Sequence, residues 1–140
     1  MFDLTTDFGR AVERHLKEET VIWLTTVDSN LTPQPRPVWF LWEYETILIF
    51  SQPGAYKIKH IKHHPRVALH FNTDDSGDKH IIVMTGEAVI DPNGVTLSQI
   101  PAYLEKYKTG IADLNMTPEA FTAEYATLVR ITPSELRGWE

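Results

Sequence analysis

The sequence predicts a mainly β (α+β) fold in which six antiparallel strands close into a small barrel with short helices at its flanks. Segments rich in β-branched residues recur along the chain, and most of them are joined by brief polar turns. Strands do not alternate with long helices along the chain, so the sequence does not predict a parallel sheet. The length of 140 residues is typical of one domain, so we expect residues 1–140 to form a single unit.

The first half of the chain is predicted to contain one helix and three strands. Thr5 or Thr6 can cap the helix, which carries an apolar stripe of Phe8, Val12 and Leu16. The strands are predicted at residues 20–27, 34–42 and 46–51, with turns at 28–30 and 43–45. Since proline cannot donate to a ladder, the alternating Pro33, Pro35 and Pro37 place the start of the second strand at a sheet edge.

The second half is predicted to begin with a short helix that Pro65 ends. The predicted helix covers residues 55–64, and strands follow at 66–73, 80–90 and about 126–131, with a polar loop at 74–79. Gly86 indicates a bulge or bend inside the fifth strand. A later helical region shows Ile100, Tyr103, Leu104 and Tyr107 on one face, and Thr117 followed by Pro118 starts another helix.

Composition limits the classes of function. A formal net charge of −6 argues against a nucleic-acid partner. The chain has no cysteine, which excludes thiolate catalysis, iron–sulfur clusters and cysteine zinc sites, and which fits a reducing compartment. No apolar run approaches the ~20 residues of a membrane span. We therefore expect a soluble cytoplasmic protein with no nucleic acid and no membrane partner.

Donors suited to an anion lie close together in the sequence. Arg36 offers a planar fork of donors, Ser51 a hydroxyl and Lys57 a point charge. The predicted helix start at Ala55 and Tyr56 adds backbone N–H groups. The alternative is that Arg36 is an edge-strand charge, Lys57 a solvated helix residue and Ser51 a plain turn residue.

Other polar clusters in the sequence do not predict a metal site. His60, His63 and His64 could suggest a metal, but no Glu or Cys lies at ligand spacing, so we expect helix-surface histidines and no metal. The acidic run at 74–78 is interpreted as a solvated turn. We expect Trp23 and Trp42 in the core or at a dimer interface; Trp39 could instead flank a cofactor.

The chain resembles a known family in three motifs: RPVWF at residues 36–40, SQPGAYK at 51–57, and HIKHHPRVALHF at 60–71. Together they are similar to the pyridoxamine 5′-phosphate oxidase-like FMN-binding split barrels. PQPRPVWFLW at 33–42 and the Arg-Gly-Trp ending further resemble the branch of this family that uses the deazaflavin coenzyme F420. The resemblance covers about residues 19–139 and implies a six-stranded split β-barrel.

This resemblance implies a homodimer with FMN or F420 at the subunit interface. Its motifs assign the anionic end of the cofactor to Arg36, Ser51, Tyr56 and Lys57. The ring-side strand corresponds to Gln34, Pro35, Pro37 and Val38, and Trp139 corresponds to a position that can reach the partner's site. The Ser-Arg-Lys triplet typical of the oxidases is replaced here by Ala-Tyr-Lys at 55–57, which leaves one basic residue fewer.

The implied activity is hydride transfer from reduced F420 or FMN to a small conjugated electron acceptor. The alternative is a non-catalytic split barrel that binds a cofactor or haem. No acid–base pair stands out, so no catalytic residue is assigned, because the cofactor itself would carry the chemistry. Lys57, Lys59, Lys62 and Arg66 could hold the polyglutamate tail of F420, or could simply form the polar face of the helix.

Overall fold

The computed structural model describes residues 3–73, 76–77 and 81–139 and contains one antiparallel sheet of seven strands. The strands are β1 Ile22–Val27, β2 Pro33–Val38, β3 Leu41–Glu43, β4 Thr46–Ser51, β5 Arg66–His70, β6 Ile81–Ile90 and β7 Thr127–Trp139. The helices are α1 Asp7–Glu18, α2 Tyr56–His63, α3 Pro101–Lys106, α4 Lys108–Asp113 and α5 Pro118–Glu124, with a 3-10 turn at Leu97–Gln99.

The sheet curls into a half-barrel. Its strand order is β2-β1-β5-β6-β7-β4-β3, so the two edge strands are neighbours in the chain. Only Trp39 and Phe40 separate β2 from β3, which brings the two edges of the sheet together without hydrogen bonds between them. The mainly β, antiparallel class is confirmed, whereas the closed barrel of six strands is not.

The seventh strand arises because the predicted second strand, 34–42, is two strands. Phe40 leaves the ladder, and its N–H donates to the Tyr107 hydroxyl at 2.8 Å. The Phe40 carbonyl accepts from the same hydroxyl at 2.9 Å and from Lys106 Nζ at 2.8 Å. Side chains from the α3–α4 junction thus replace strand partners at this residue, and the sheet is interrupted there.

Lys106 makes stability depend on pH. Burial lowers the pKa of Lys106 to about 8, whereas the ordinary value is 10.5. Between these values the unfolded chain binds more protons than the folded protein, so a rise in pH favours folding. Because Lys106 is partly exposed, we expect the wild type to gain only about 1 kcal/mol over Lys106→Met between pH 7.5 and 9.5. Urea unfolding across this range measures the difference; parallel pH profiles would contradict the assignment.

The structure also differs from the sequence prediction in the last strand, β7. The last strand continues to Trp139 instead of ending near residue 131, because β4 pairs with residues 127–131 and β6 pairs along residues 129–139. The bulge predicted at Gly86 is confirmed as a register shift between Thr85 and Gly86. A Cβ atom at Gly86 would collide with the carbonyl oxygen of Thr132. The acidic run Asp74, Asp75 and Asp78 and the predicted strand start at His80 lie outside the described residues.

The predicted helix starts are confirmed. Thr6 caps α1 by accepting from the Gly9 N–H at 2.9 Å, and Thr117 caps α5 by accepting from the Ala120 N–H at 3.1 Å. The helix predicted at 55–64 is α2, which ends at His63. In the described part of the chain, no helix has the length and apolar character needed to cross a bilayer.

Strand β4 is buried on both faces and separates two apolar clusters. Ile47 and Ile49 pack inside the barrel with residues of α1 and α2. Leu48 and Phe50 pack on the other face against the layer formed by α3, α4 and α5. This outer helical layer supplies the wall against which a cleft forms beside β2.

Candidate functional site

Two adjoining clefts open between edge strand β2, the start of α2 and the outer helical layer. The aromatic cleft has a volume of about 220 Å³ and is lined by Pro37, Val38, Trp39, Phe50, Lys57, Tyr103, Leu114, Phe121 and Tyr125. The cationic cleft has a volume of about 330 Å³ and is lined by Thr26, Gln34, Arg36, Pro37, Val38, Ala55, Tyr56, Lys57 and His60. Three residues line both, so the clefts form one groove.

The basic end of the groove is formed by Arg36 and Lys57. Both side chains line the cationic cleft, and burial, followed by the charge of Arg36, lowers the pKa of Lys57. Lys57 Nζ donates to Ser51 Oγ at 3.3 Å, and Arg36 Nη1 donates to the Pro35 carbonyl at 2.7 Å. Both cations are therefore bonded only to neutral oxygens within the described residues.

Ser51 lies behind Lys57 rather than in the groove. It is 1% exposed, and its hydroxyl donates to the Gln52 carbonyl at 2.9 Å while accepting from Lys57. Ser51 lines neither cleft, and it contacts the groove only through the ammonium group of Lys57.

Helix α2 begins in the cationic cleft. Ala55 is its N-cap, and an alanine side chain cannot accept a hydrogen bond. The first N–H groups of the helix therefore receive no capping bond from the N-cap side chain. Tyr56, the first helical residue, is 76% exposed and lines the cleft. The predicted helix start therefore lies in the lining of the cationic cleft.

Strand β2 forms the edge beside the groove. Among the strands that the structure describes, it pairs only with β1, which confirms the edge position that its prolines predicted. Gln34, Pro37 and Val38 line the cationic cleft, whereas Pro35 contributes the carbonyl that Arg36 contacts. Gln34 Nε2 also donates to Asp28 Oδ2 at 3.0 Å, which ties the strand to the preceding turn.

The apolar end of the groove is built around Trp39. Its indole stacks on Tyr107, with centroids 4.4 Å apart and planes 6° apart, and on Phe121 at 5.6 Å. A Cβ atom at Gly110 would lie 2.9 Å from the indole, so glycine at this position of α4 lets the ring lie flat. Trp39 therefore packs against the outer apolar cluster and also lines the cleft.

Sequence reasoning missed most of the aromatic wall. Phe50, Leu114, Phe121 and Tyr125 line the cleft, but they come from β4 and from segments beyond residue 110. Phe121 and Tyr125 are spaced like ordinary core positions of a helix, and Phe50 lies in an apolar strand, so no local signal marks them. Trp139, predicted to reach a partner's site, is 56% exposed and lines neither cleft of its own chain.

Trp23 and Trp42 line neither cleft. Trp23 donates to Asn72 Oδ1 at 3.0 Å and stacks on His70, and Trp42 packs against the inner cluster. Among the described residues, no group of three or more His, Cys, Asp or Glu side chains is arranged to hold a metal ion.

Several solved structures have a similar fold. An F420 reductase is 21% identical, with 89% of this chain and 94% of that chain covered and a TM-score of 0.64. A haem storage protein from Vibrio cholerae is 16% identical, with 94% of both chains covered and a TM-score of 0.68. An FAD-binding protein from Mesorhizobium loti is 16% identical, with coverage of 89% and 87% and a TM-score of 0.63. At such identities the likeness establishes the fold alone.

A family match is more informative than these structural neighbours. No curated protein matches the chain. The family model described as pyridoxamine 5′-phosphate oxidase, however, matches residues 8–140, which include β2, α2 and the whole groove. This match confirms the family resemblance found in the sequence motifs. The chain belongs to the pyridoxamine 5′-phosphate oxidase family.

Proposed function

We propose that the chain is an oxidoreductase that binds F420 or FMN in the groove and transfers hydride to a small conjugated acceptor. One observation supports this most: a flat aromatic cleft continues directly into a pair of closely spaced cations. A conjugated ring with an anionic tail has the complementary chemistry at both ends. The F420 reductase and the FAD-binding protein that share the fold point in the same direction.

The basic end fits an anion because its charges are uncompensated. The two cations, Arg36 and Lys57, form no ion pair with a carboxylate in the described part of the chain, and the half-buried Lys57 is held near Arg36 at a cost. A phosphate between them would relieve that repulsion. A charge-assisted hydrogen bond contributes about 1.5–3 kcal/mol, so two such bonds can hold a ligand firmly.

The apolar end fits a planar ring. Trp39 lines the cleft and is held by stacking on the buried Tyr107, and Val38 and Phe121 add apolar surface beside it. The bound cofactor would supply the hydride chemistry. The residues of the chain bind it, orient it and keep its ring dry; none of them is assigned a proton transfer.

The proposal includes a homodimer with the cofactor between the subunits. Tyr56, at the mouth of the groove, and Trp139, at the end of β7, are 76% and 56% exposed. A second copy would cover such aromatic surface, which is commonly buried at interfaces. The groove also opens beside the free edge of β2, where a partner could complete its outer wall.

Titration of the purified protein with F420, FMN and haem tests the proposal. We expect F420 or FMN to bind and to quench the fluorescence of Trp39, with weaker quenching in Trp39→Phe. Mixing the protein with the reduced cofactor and a conjugated acceptor then distinguishes enzyme from carrier. Binding of haem alone would favour the carrier alternative, and failure of both F420 and FMN to bind would refute the proposed function.

A further inference from the structure

A third cleft adjoins the groove at its basic end. This histidine cleft, of about 270 Å³, lies between residues 27–29, where β1 ends and the turn begins, and the exposed side of α2. The helix contributes Tyr56, Lys59, His60, His63 and His64. Because Tyr56 and His60 also line the cationic cleft, a basic surface continues past the Arg36–Lys57 pair.

His60 is fixed at the junction of the two clefts. Its Nδ1 lies 2.8 Å from Oγ1 of Thr26, a hydroxyl on β1 that is 2% exposed. This hydrogen bond occupies one ring nitrogen and leaves Nε2 for a ligand. When Thr26 is the donor, Nε2 carries the proton and can donate to an anion.

Lys59 and the imidazoles give the histidine cleft several hydrogen-bond donors for an anion. The helix wall carries a lysine and three imidazoles, which share one face because of their i, i+3 and i, i+4 spacing. The opposite wall carries one carboxylate, Asp28, whose oxygens accept from the N–H groups of Asn30 and Thr32 and from Gln34 Nε2. The carboxylate of Asp28 is thus already hydrogen-bonded to three donors from residues 30–34.

The structure also changes which basic residues belong together. The sequence grouped Lys62 and Arg66 with the residues that could hold an anionic tail. Lys62 lines none of the three clefts, and Arg66 lies 3.4 Å from Glu135. The histidines, interpreted from sequence as plain surface residues, take their place.

We propose that the histidine cleft binds a second anionic group of the ligand, carried on a tail that extends beyond the group held by Arg36 and Lys57. This inference rests on the proposed function and narrows its ligand class. The favoured cofactor carries carboxylates or phosphates past its first phosphate, instead of ending there.

Two matched ligand pairs test this inference: F420 with its glutamate tail against F420 without glutamates, and FAD against FMN. The variant replaces Lys59, His63 and His64 by Gln, and Lys62→Gln is the matched control on the same helix. Lys59, Lys62 and His63 are exposed on α2, and the half-buried His64 directly follows the helix. Thermal unfolding checks that the fold is retained.

We expect the tail-bearing ligand of one pair to bind the wild type about tenfold tighter than its truncated partner, as expected for a few exposed charge contacts. The triple variant should lose this advantage but bind the truncated ligand within about twofold of wild type, and Lys62→Gln should keep the advantage. An advantage confined to the F420 pair identifies a carboxylate tail, and one confined to the flavin pair identifies a diphosphate.

Three outcomes would overturn the inference. If truncated and tail-bearing ligands bind the wild type equally, the cleft holds no tail, although the proposed function survives. If the triple variant keeps the advantage, the tail lies elsewhere. If no ligand of either pair binds at all, the inference and the proposed function fail together.

Discussion

Replacement of both Arg36 and Lys57 by alanine is expected to weaken binding of F420 or FMN at least a hundredfold. Two charge-assisted hydrogen bonds would be lost, each of about 1.5–3 kcal/mol, and a hundredfold change corresponds to about 2.7 kcal/mol. The fold should tolerate the change, because the two side chains repel each other and, within the described residues, bond only to the neutral oxygens of Pro35 and Ser51.

The measurement is a fluorescence titration of the double variant with each cofactor. Lys62→Ala is the control, since Lys62 carries the same charge on the same helix but lines none of the clefts. Arg36→Lys separates charge from geometry, because lysine keeps the charge and loses the planar fork. Unchanged affinity of the double variant for both cofactors would show that the anionic end binds elsewhere.

The second large effect concerns stability. Tyr107→Phe is expected to lower the free energy of unfolding by about 2–3 kcal/mol, because it leaves a buried backbone N–H without its acceptor. Phe40 is fully buried, and its N–H donates to the Tyr107 hydroxyl at 2.8 Å. The same hydroxyl lies 2.8 Å from the Thr20 carbonyl and 2.9 Å from that of Phe40.

Chemical denaturation of the wild type and the variant measures this loss. Tyr44→Phe removes the same oxygen from a side chain that is 90% exposed at the β3–β4 hairpin, so it should change stability by less than about 0.5 kcal/mol. Equal, small effects of the two substitutions would mean that the Tyr107 hydroxyl does not hold the β2–β3 junction. The ring that stacks on Trp39 is retained in Tyr107→Phe.

Sequence patterns predicted the elements that depend on neighbouring residues. The cap at Thr6, the bulge at Gly86 and the proline edge follow from local chemistry, and the structure contains each of them. The interruption between β2 and β3 could not be predicted, because Phe40 is held by Tyr107, 67 residues further along the chain. A local pattern carries no information about such a contact.

The candidate site divides in the same way. The sequence predicted Arg36 and Lys57 as anion-binding residues because Arg36 lies on an edge strand and Lys57 lies near a helix start. The structure brings both side chains into the cationic cleft. The aromatic wall was not recognisable, since Phe121 and Tyr125 are spaced like core residues. His60 was interpreted as a surface residue because its partner, Thr26, lies 34 positions earlier.

The proline edge of β2 has a consequence for how the molecules behave in concentrated solution. Proline cannot donate, so the ladder to β1 uses the N–H groups of Gln34, Arg36 and Val38, and the three prolines face the open side. A strand from another molecule would find carbonyl acceptors there but no donors, and could form only half of its bonds. The edge beside the groove can thus stay uncovered without acting as a template for aggregation.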